Sequence, residues 1–180
     1  MENFIKKYKV NKKLCDDLIK YYKLNCEYKV QGSTEPFGVN KNIKESTDVI
    51  FYNQSNNKTI LNFFNVLSHN ITSYINEFEL DIKLVTSTIN LIQHYPKGGG
   101  YKIFHYENSN NLTIKRKLVY MLYLNDVTNG GTEFKYQKLI LNAEKGNLII
   151  WPADFTHTHK GIISNTEEKY IATGWFEIDN

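Results

Sequence analysis

The 180-residue chain has five histidines, and only some of them stand where they could do chemistry. His105-Tyr106-Glu107 sets an imidazole and a carboxylate two residues apart. On an extended strand, residues i and i+2 share a face, so the pair would offer a nitrogen and an oxygen side by side to a divalent cation. A third ligand is available in Phe155-Thr156-His157-Thr158-His159-Lys160-Gly161. If that segment is also a strand, alternation turns both of its histidines to one face, and periodicity leaves His157 and His159 as alternatives. His69 falls on the polar side of a helical stretch and reads as surface. His94 points away from the inner face if its neighbour Tyr95 points in.

Two histidines and one carboxylate on one face of a metal leave three positions open, an arrangement suited to a non-haem Fe(II) centre. A bare His-Xaa-Glu is common by chance, so the elements that would position it matter. Residues 12–24 carry Leu14, Leu18 and Tyr21 or Tyr22 at helical spacing, with Asn11 as N-cap. Residues 28–58 are polar, with Gly32, Pro36 and Gly38, and predict a loop interrupted by a short strand at Val49–Tyr52. Residues 58–78 present a broad apolar stripe from Ile60 to Phe78 and predict a helix packed on a sheet.

From residue 83 the period changes to two. Strands are predicted at Lys83–Tyr95, Tyr101–Tyr106, Lys117–Leu124, Thr132–Tyr136, Leu139–Leu141, Asn147–Trp151, Thr156–Lys160 and Lys169–Ile178. Turn signals separate them at Pro96 to Gly100, Asn125-Asp126, Gly130-Gly131, Lys145-Gly146 and Pro152. Short strands punctuated this way argue for a sandwich or barrel, here an α+β arrangement with helices bracing a β-roll. The expectation is one domain over 1–180, with helical and loop support in 1–82 and a catalytic β-roll in 83–180.

Composition narrows the function classes. The net charge of +3, with basic residues scattered, gives no electrostatic footprint for nucleic acid. No stretch is apolar enough to span a bilayer. Cys15 and Cys26 lack ligand spacing and read as free thiols. With no secretory leader visible in MENFIKKYKV, they imply a cytoplasmic setting. Oligomeric state leaves no mark in the sequence.

The segment from Gln93 to Trp175 resembles the prolyl 4-hydroxylase-like branch of the Fe(II)/2-oxoglutarate oxygenases, piece by piece and in the family's order. Gln93-His94-Tyr95-Pro96, a glycine turn and His105-Tyr106-Glu107-Asn108 look like the family's tyrosine and iron motif. Arg116 and Tyr120-Met121-Leu122-Tyr123-Leu124-Asn125 resemble its arginine and tyrosine strand. Asn129-Gly130-Gly131-Thr132-Glu133-Phe134 resembles its double-glycine segment. Lys145 to Pro152 is similar to the strand leading to the distal histidine, and Lys169-Tyr170-Ile171-Ala172-Thr173-Gly174-Trp175 to the last core strand.

The resemblance implies a double-stranded β-helix, a jelly-roll of the cupin type, using Fe(II), 2-oxoglutarate and O2, with ascorbate as an accessory reductant. It implies His105, Glu107 and a late histidine as metal ligands. The family's basic cosubstrate anchor follows the distal histidine by about ten positions. Lys169 stands ten residues after His159, and His159-Lys160-Gly161 fits the His-Xaa-Gly pattern, so the resemblance favours His159. It further implies that Lys169 meets the distal carboxylate of 2-oxoglutarate, that Tyr123 and Thr173 hydrogen-bond the cosubstrate, and that Tyr95 faces cosubstrate or substrate. Arg116 is assigned to the substrate side or to structure.

The implied reaction hydroxylates a C–H bond of a prolyl residue in a peptide or protein, releasing succinate and CO2. A free amino acid, a small metabolite, a cupin-type dioxygenase and a non-catalytic β-roll are the alternatives. One departure stands out: Glu107 occupies the place where this branch has aspartate, which weakens any transfer of substrate identity.

Overall fold

The computed structural model describes residues 2–34 and 37–179. Strand β1 (Lys6–Lys9) is followed by helix α1 (Lys12–Leu24), β2 (Lys29–Gln31), β3 (Lys44–Glu45), β4 (Thr47–Tyr52) and helix α2 (Lys58–Glu77). Then come β5 (Leu84–Thr86), β6 (Ile89–Tyr95), β7 (Gly100–Tyr101), β8 (Arg116–Tyr123) and β9 (Val127–Phe134). The chain closes with β10 (Leu139–Ala143), β11 (Asn147–Pro152), β12 (His159–Gly161) and β13 (Lys169–Ile178).

Eight strands make an antiparallel sheet in the order β1-β11-β8-β13-β6-β4-β2, with β5 paired to β13. Strands β10-β9-β12 form a second sheet and β3-β7 a small ladder. This is a jelly-roll braced by two helices, as the strand pattern and the resemblance imply. Alternation makes the large sheet serve two cores. In β8, Leu118, Tyr120 and Leu122 pack toward the helices with Leu18, Phe63 and Leu67 of α1 and α2. Val119, Met121 and Tyr123 face into the roll with Phe134, Ile149 and Trp151. Both helix starts are capped by asparagine side chains. Asn11 accepts from the Lys13 amide, and Asn57 accepts from those of Thr59 and Ile60.

Several local expectations are corrected. Strands β2 and β3 occupy part of the stretch expected as loop, and the strand expected at Val49–Tyr52 is β4, which begins two residues earlier. The Lys-rich β1 has no counterpart among the predicted strands; it forms because β11 offers it an edge from Asn147 to Ile150. The run Lys83–Tyr95 is two strands that bend at Ser87-Thr88. Gly130-Gly131 is no turn but lies inside β9, where a Cβ on Gly131 would overlap the Leu141 carbonyl of β10. Beyond Tyr101 the chain is irregular, and His105 meets His159 through a single bridge, not a strand. Phe155–His157 is a 3-10 turn, so the alternation argument for His157 does not hold.

Candidate metal and cosubstrate site

His105 and His159 exchange both backbone hydrogen bonds at 2.9 Å, which brings their rings to 4.4 Å between centroids. Two residues on, the Glu107 amide donates to the Ala153 carbonyl at 2.9 Å and turns its carboxylate into the same space. The Tyr101 ring stacks on His105 at 3.5 Å, and Phe134 and Trp151 flank His159. One ligand-capable atom from each of His105, Glu107 and His159 lies within 4.8 Å of the others.

The ring tautomers follow from the carbonyls they face. Nδ1 of His105 donates to the Ile103 carbonyl at 3.2 Å, and Nδ1 of His159 donates to the His157 carbonyl at 2.8 Å. Nε2 of each ring then faces Glu107 Oε1, at 3.3 and 3.6 Å. Burial pushes the His105 pKa down, with the nearby His159 adding to it. Burial would raise the Glu107 carboxyl, but the imidazoles beside it hold it well below the usual carboxylate range. A divalent cation requires both Nε2 atoms free of protons and the carboxylate ionised, so its binding would displace protons from the cluster. Two imidazole nitrogens and a carboxylate oxygen gathered this closely are a donor set that fits Fe(II).

His157 is directed elsewhere. Its Nε2 donates to the Asn3 carbonyl at 2.8 Å, and Nδ1 meets the Thr156 hydroxyl at 2.9 Å. It pins the N-terminal segment and stays out of the cluster, while His159 joins it.

The cluster opens on a cavity of about 480 Å3 inside the roll. At another point of its lining lies Lys169, only 6% exposed. Its ammonium donates to the carbonyls of Gly130 (2.8 Å) and Ile162 (3.2 Å) and lies 5.4 Å from the Tyr95 ring. Among the described residues it has no carboxylate partner, and burial pushes its pKa down to about 8. A buried cation facing a cavity without an anion fits a carboxylate-bearing ligand. Tyr123 shares a 2.6 Å hydrogen bond with Thr132, and both line the cavity. Thr173 lines it too but donates to the Tyr120 carbonyl, and Tyr95 donates to Gln93 at 2.7 Å.

Four features escaped the sequence reading. Gln93 continues into a buried chain in which its amide donates to Asp48, which also accepts from Lys44 and Ser46. Lys44 lines the cavity from the stretch read as loop. The Trp175 indole donates to Glu107 Oε2 at 3.0 Å. Arg116 covers Trp175 at 3.5 Å. Trp175 was within reach, because Lys169, Ile171, Thr173 and Trp175 alternate onto one face of β13.

The family pattern described as the 2OG-Fe(II) oxygenase superfamily matches residues 91–177. Among proteins of curated function, none matches the chain by sequence. Solved structures match over nearly its whole length. A prolyl hydroxylase from Trichoplax adhaerens, in complex with a hypoxia-inducible-factor oxygen-degradation-domain peptide, superposes with a TM-score of 0.80 at 14% identity, covering 98% of this chain and 84% of that one. A Pseudomonas putida prolyl-4-hydroxylase gives 0.74 at 14% identity, covering 99% and 94%. The viral collagen prolyl hydroxylase of Paramecium bursaria Chlorella virus-1, as its 2OG complex, gives 0.73 at 18% identity, covering 98% and 97%. Residues 91–177 carry the 2OG-Fe(II) oxygenase domain of 2-oxoglutarate-dependent iron dioxygenases, and the chain as a whole shares the fold of prolyl hydroxylases.

Proposed function

We propose that this oxygenase hydroxylates a prolyl residue in a peptide or protein, with release of succinate and CO2. The observation that carries the reading is the pairing, within one cavity, of the His105/Glu107/His159 cluster with the Lys169 ammonium, which has no carboxylate partner among the described residues. Substrate class is supported by the likeness in fold to prolyl hydroxylases, one of them in complex with a peptide. Polar groups in the cavity lining support it too: Ser109, Asn110 and Thr113 of the irregular segment before β8, with Ser33 and Thr34, offer hydrogen-bonding partners to a peptide.

In this reading His105, Glu107 and His159 hold Fe(II), and Lys169 receives the distal carboxylate of 2-oxoglutarate. Tyr123 and Thr132 face the cosubstrate from the same wall. The metal, with 2-oxoglutarate and O2, supplies the oxidising power for C–H hydroxylation. The chain's part is positional. Tyr101 and Trp151 fix the planes of the histidine rings, the two backbone carbonyls fix their tautomers, and the apolar roll excludes water. Ascorbate enters as accessory reductant, and the free thiols Cys15 and Cys26 support a cytoplasmic setting.

The test is incubation with Fe(II), 2-oxoglutarate, ascorbate and a panel of proline-containing peptides, beside free proline and other amino acids. Succinate formation matched by a peptide mass gain of one oxygen atom is expected. Succinate driven only by free amino acids or small metabolites would overturn the peptide assignment, and absence of succinate under every condition would overturn the enzyme.

A further inference from the structure

We infer that Trp175 is a positioning residue that dictates which oxygen of Glu107 the metal receives. The inference rests on the metal reading of the same site and goes one atom further. The two oxygens of Glu107 have different surroundings. Oε1 faces Nε2 of both histidines, at 3.3 and 3.6 Å. Oε2 is turned away and accepts from the Trp175 indole N–H at 3.0 Å. Arg116 Nη1 lies 3.8 Å from the same Oε2 and donates to the Glu107 backbone carbonyl at 3.3 Å, so the residue is held at both ends.

The indole cannot easily leave. Trp175 sits in β13 opposite Val119 of β8, and the Arg116 guanidinium lies on its face at 3.5 Å. An indole N–H is a donor only, and burial without its acceptor would cost free energy. A glutamate is long and flexible enough to chelate a metal through both oxygens. Trp175 removes that option by engaging Oε2, so Glu107 supplies one ligand and three metal positions stay open for cosubstrate and oxygen.

The arrangement also depends on glutamate. An aspartate is one methylene shorter, roughly 1.5 Å, and cannot both meet the histidine nitrogens and reach the indole. Residues 107 and 175 are therefore predicted to act as a unit, with Trp175 worth little once Glu107 is shortened.

The experiment measures Co(II) binding without 2-oxoglutarate, by titration and by the visible d–d bands that report coordination number. Four forms of the full chain are compared: wild type, Trp175→Phe, Glu107→Asp and the double variant. Loss of the indole donor should weaken Co(II) binding about tenfold in the protein that keeps Glu107, in line with other partners of metal-bound carboxylates. The d–d bands should shift as Oε2, released from the indole, replaces a bound water on the metal. In the Glu107→Asp background the same change should alter affinity less than about twofold. Equal effects in both backgrounds, or none in either, would overturn the inference while leaving the metal site standing. If wild type binds no Co(II), the metal reading falls first and the inference with it. Should Trp175→Phe fail to fold, a benzothienyl analogue placed at 175 alone keeps the ring shape and replaces N–H by sulfur, and the same expectations apply to it.

Discussion

Replacing Lys169 with methionine should stabilise the ligand-free protein near neutral pH while ending its use of 2-oxoglutarate. Burial lowers the Lys169 pKa from the ordinary 10.5 to about 8, and the side chain is almost fully removed from water. At about 1.4 kcal/mol per pH unit, keeping that ammonium charged at pH 7 costs the fold about 3 kcal/mol. Methionine removes the cost but strands the carbonyls of Gly130 and Ile162, at about 1 kcal/mol each. The net gain is about 1 kcal/mol, a rise in Tm of about 2–4 °C for a chain of this length. The dependence on pH is the sharper signature. A lysine whose pKa is lower in the folded state binds fewer protons there, so wild-type stability rises with pH between about 8 and 10.5. Taken as a difference between the two proteins, in which other titrations largely cancel, wild type should gain about 2–3 kcal/mol on the variant from pH 7 to pH 10. The order of stabilities should then reverse. Urea unfolding of both proteins at the two pH values reads this directly, and 2-oxoglutarate should raise the Tm of wild type alone. A stability difference that stays constant across that range would refute the claim that the fold stores an unpaired ammonium for an incoming anion.

His159→Ala should end metal binding and 2-oxoglutarate turnover, whereas His157→Ala should keep turnover and lose about 1 kcal/mol with its bond to the Asn3 carbonyl; parallel assays of succinate and unfolding separate the two, and the reverse pattern would reassign the distal ligand. Anaerobic addition of Fe(II) and 2-oxoglutarate should produce a visible charge-transfer band that is missing when either is added alone and in the Lys169→Met protein. A divalent metal at a hundredfold excess over its Kd should stabilise wild type by about 2.7 kcal/mol, and Glu107→Ala should lose most of that increment in a thermal scan. Gly131→Ala should destabilise the roll itself, because the added Cβ overlaps the Leu141 carbonyl; an unchanged Tm would show that β9 and β10 can part.

Both helices were legible because each signals its start with an asparagine cap and carries a continuous apolar period, so α1 matches its predicted limits and α2 differs by one residue at its end. Of the strands of the first third, only the Val49–Tyr52 part of β4 was. Lys6–Lys9 and Lys29–Gln31 have no internal pattern of their own and are strands only because a partner edge is present. In β4, buried Asp48 reads as loop until Lys44, Ser46 and Gln93 are seen to satisfy it. At the site, motif order pointed to the residues the structure gathers at His105, Glu107 and His159. Alternation alone could not separate His157 from His159, because a 3-10 turn breaks the strand between them. Trp175 stood only as the end of a motif, since its role depends on where Glu107 places its second oxygen.

Strand β1 has a consequence for self-association. Without it, β11 would be the outer strand of the large sheet and would expose the unpaired backbone of Asn147–Ile150, a largely apolar run. Such an edge is a template for pairing with another molecule. In the folded protein the outermost strand is instead Lys6-Lys7-Tyr8-Lys9, whose charges discourage a further strand from adding. Removing the first ten residues should therefore leave His105, Glu107 and His159 in place and still yield a chain that associates with its own copies through β11.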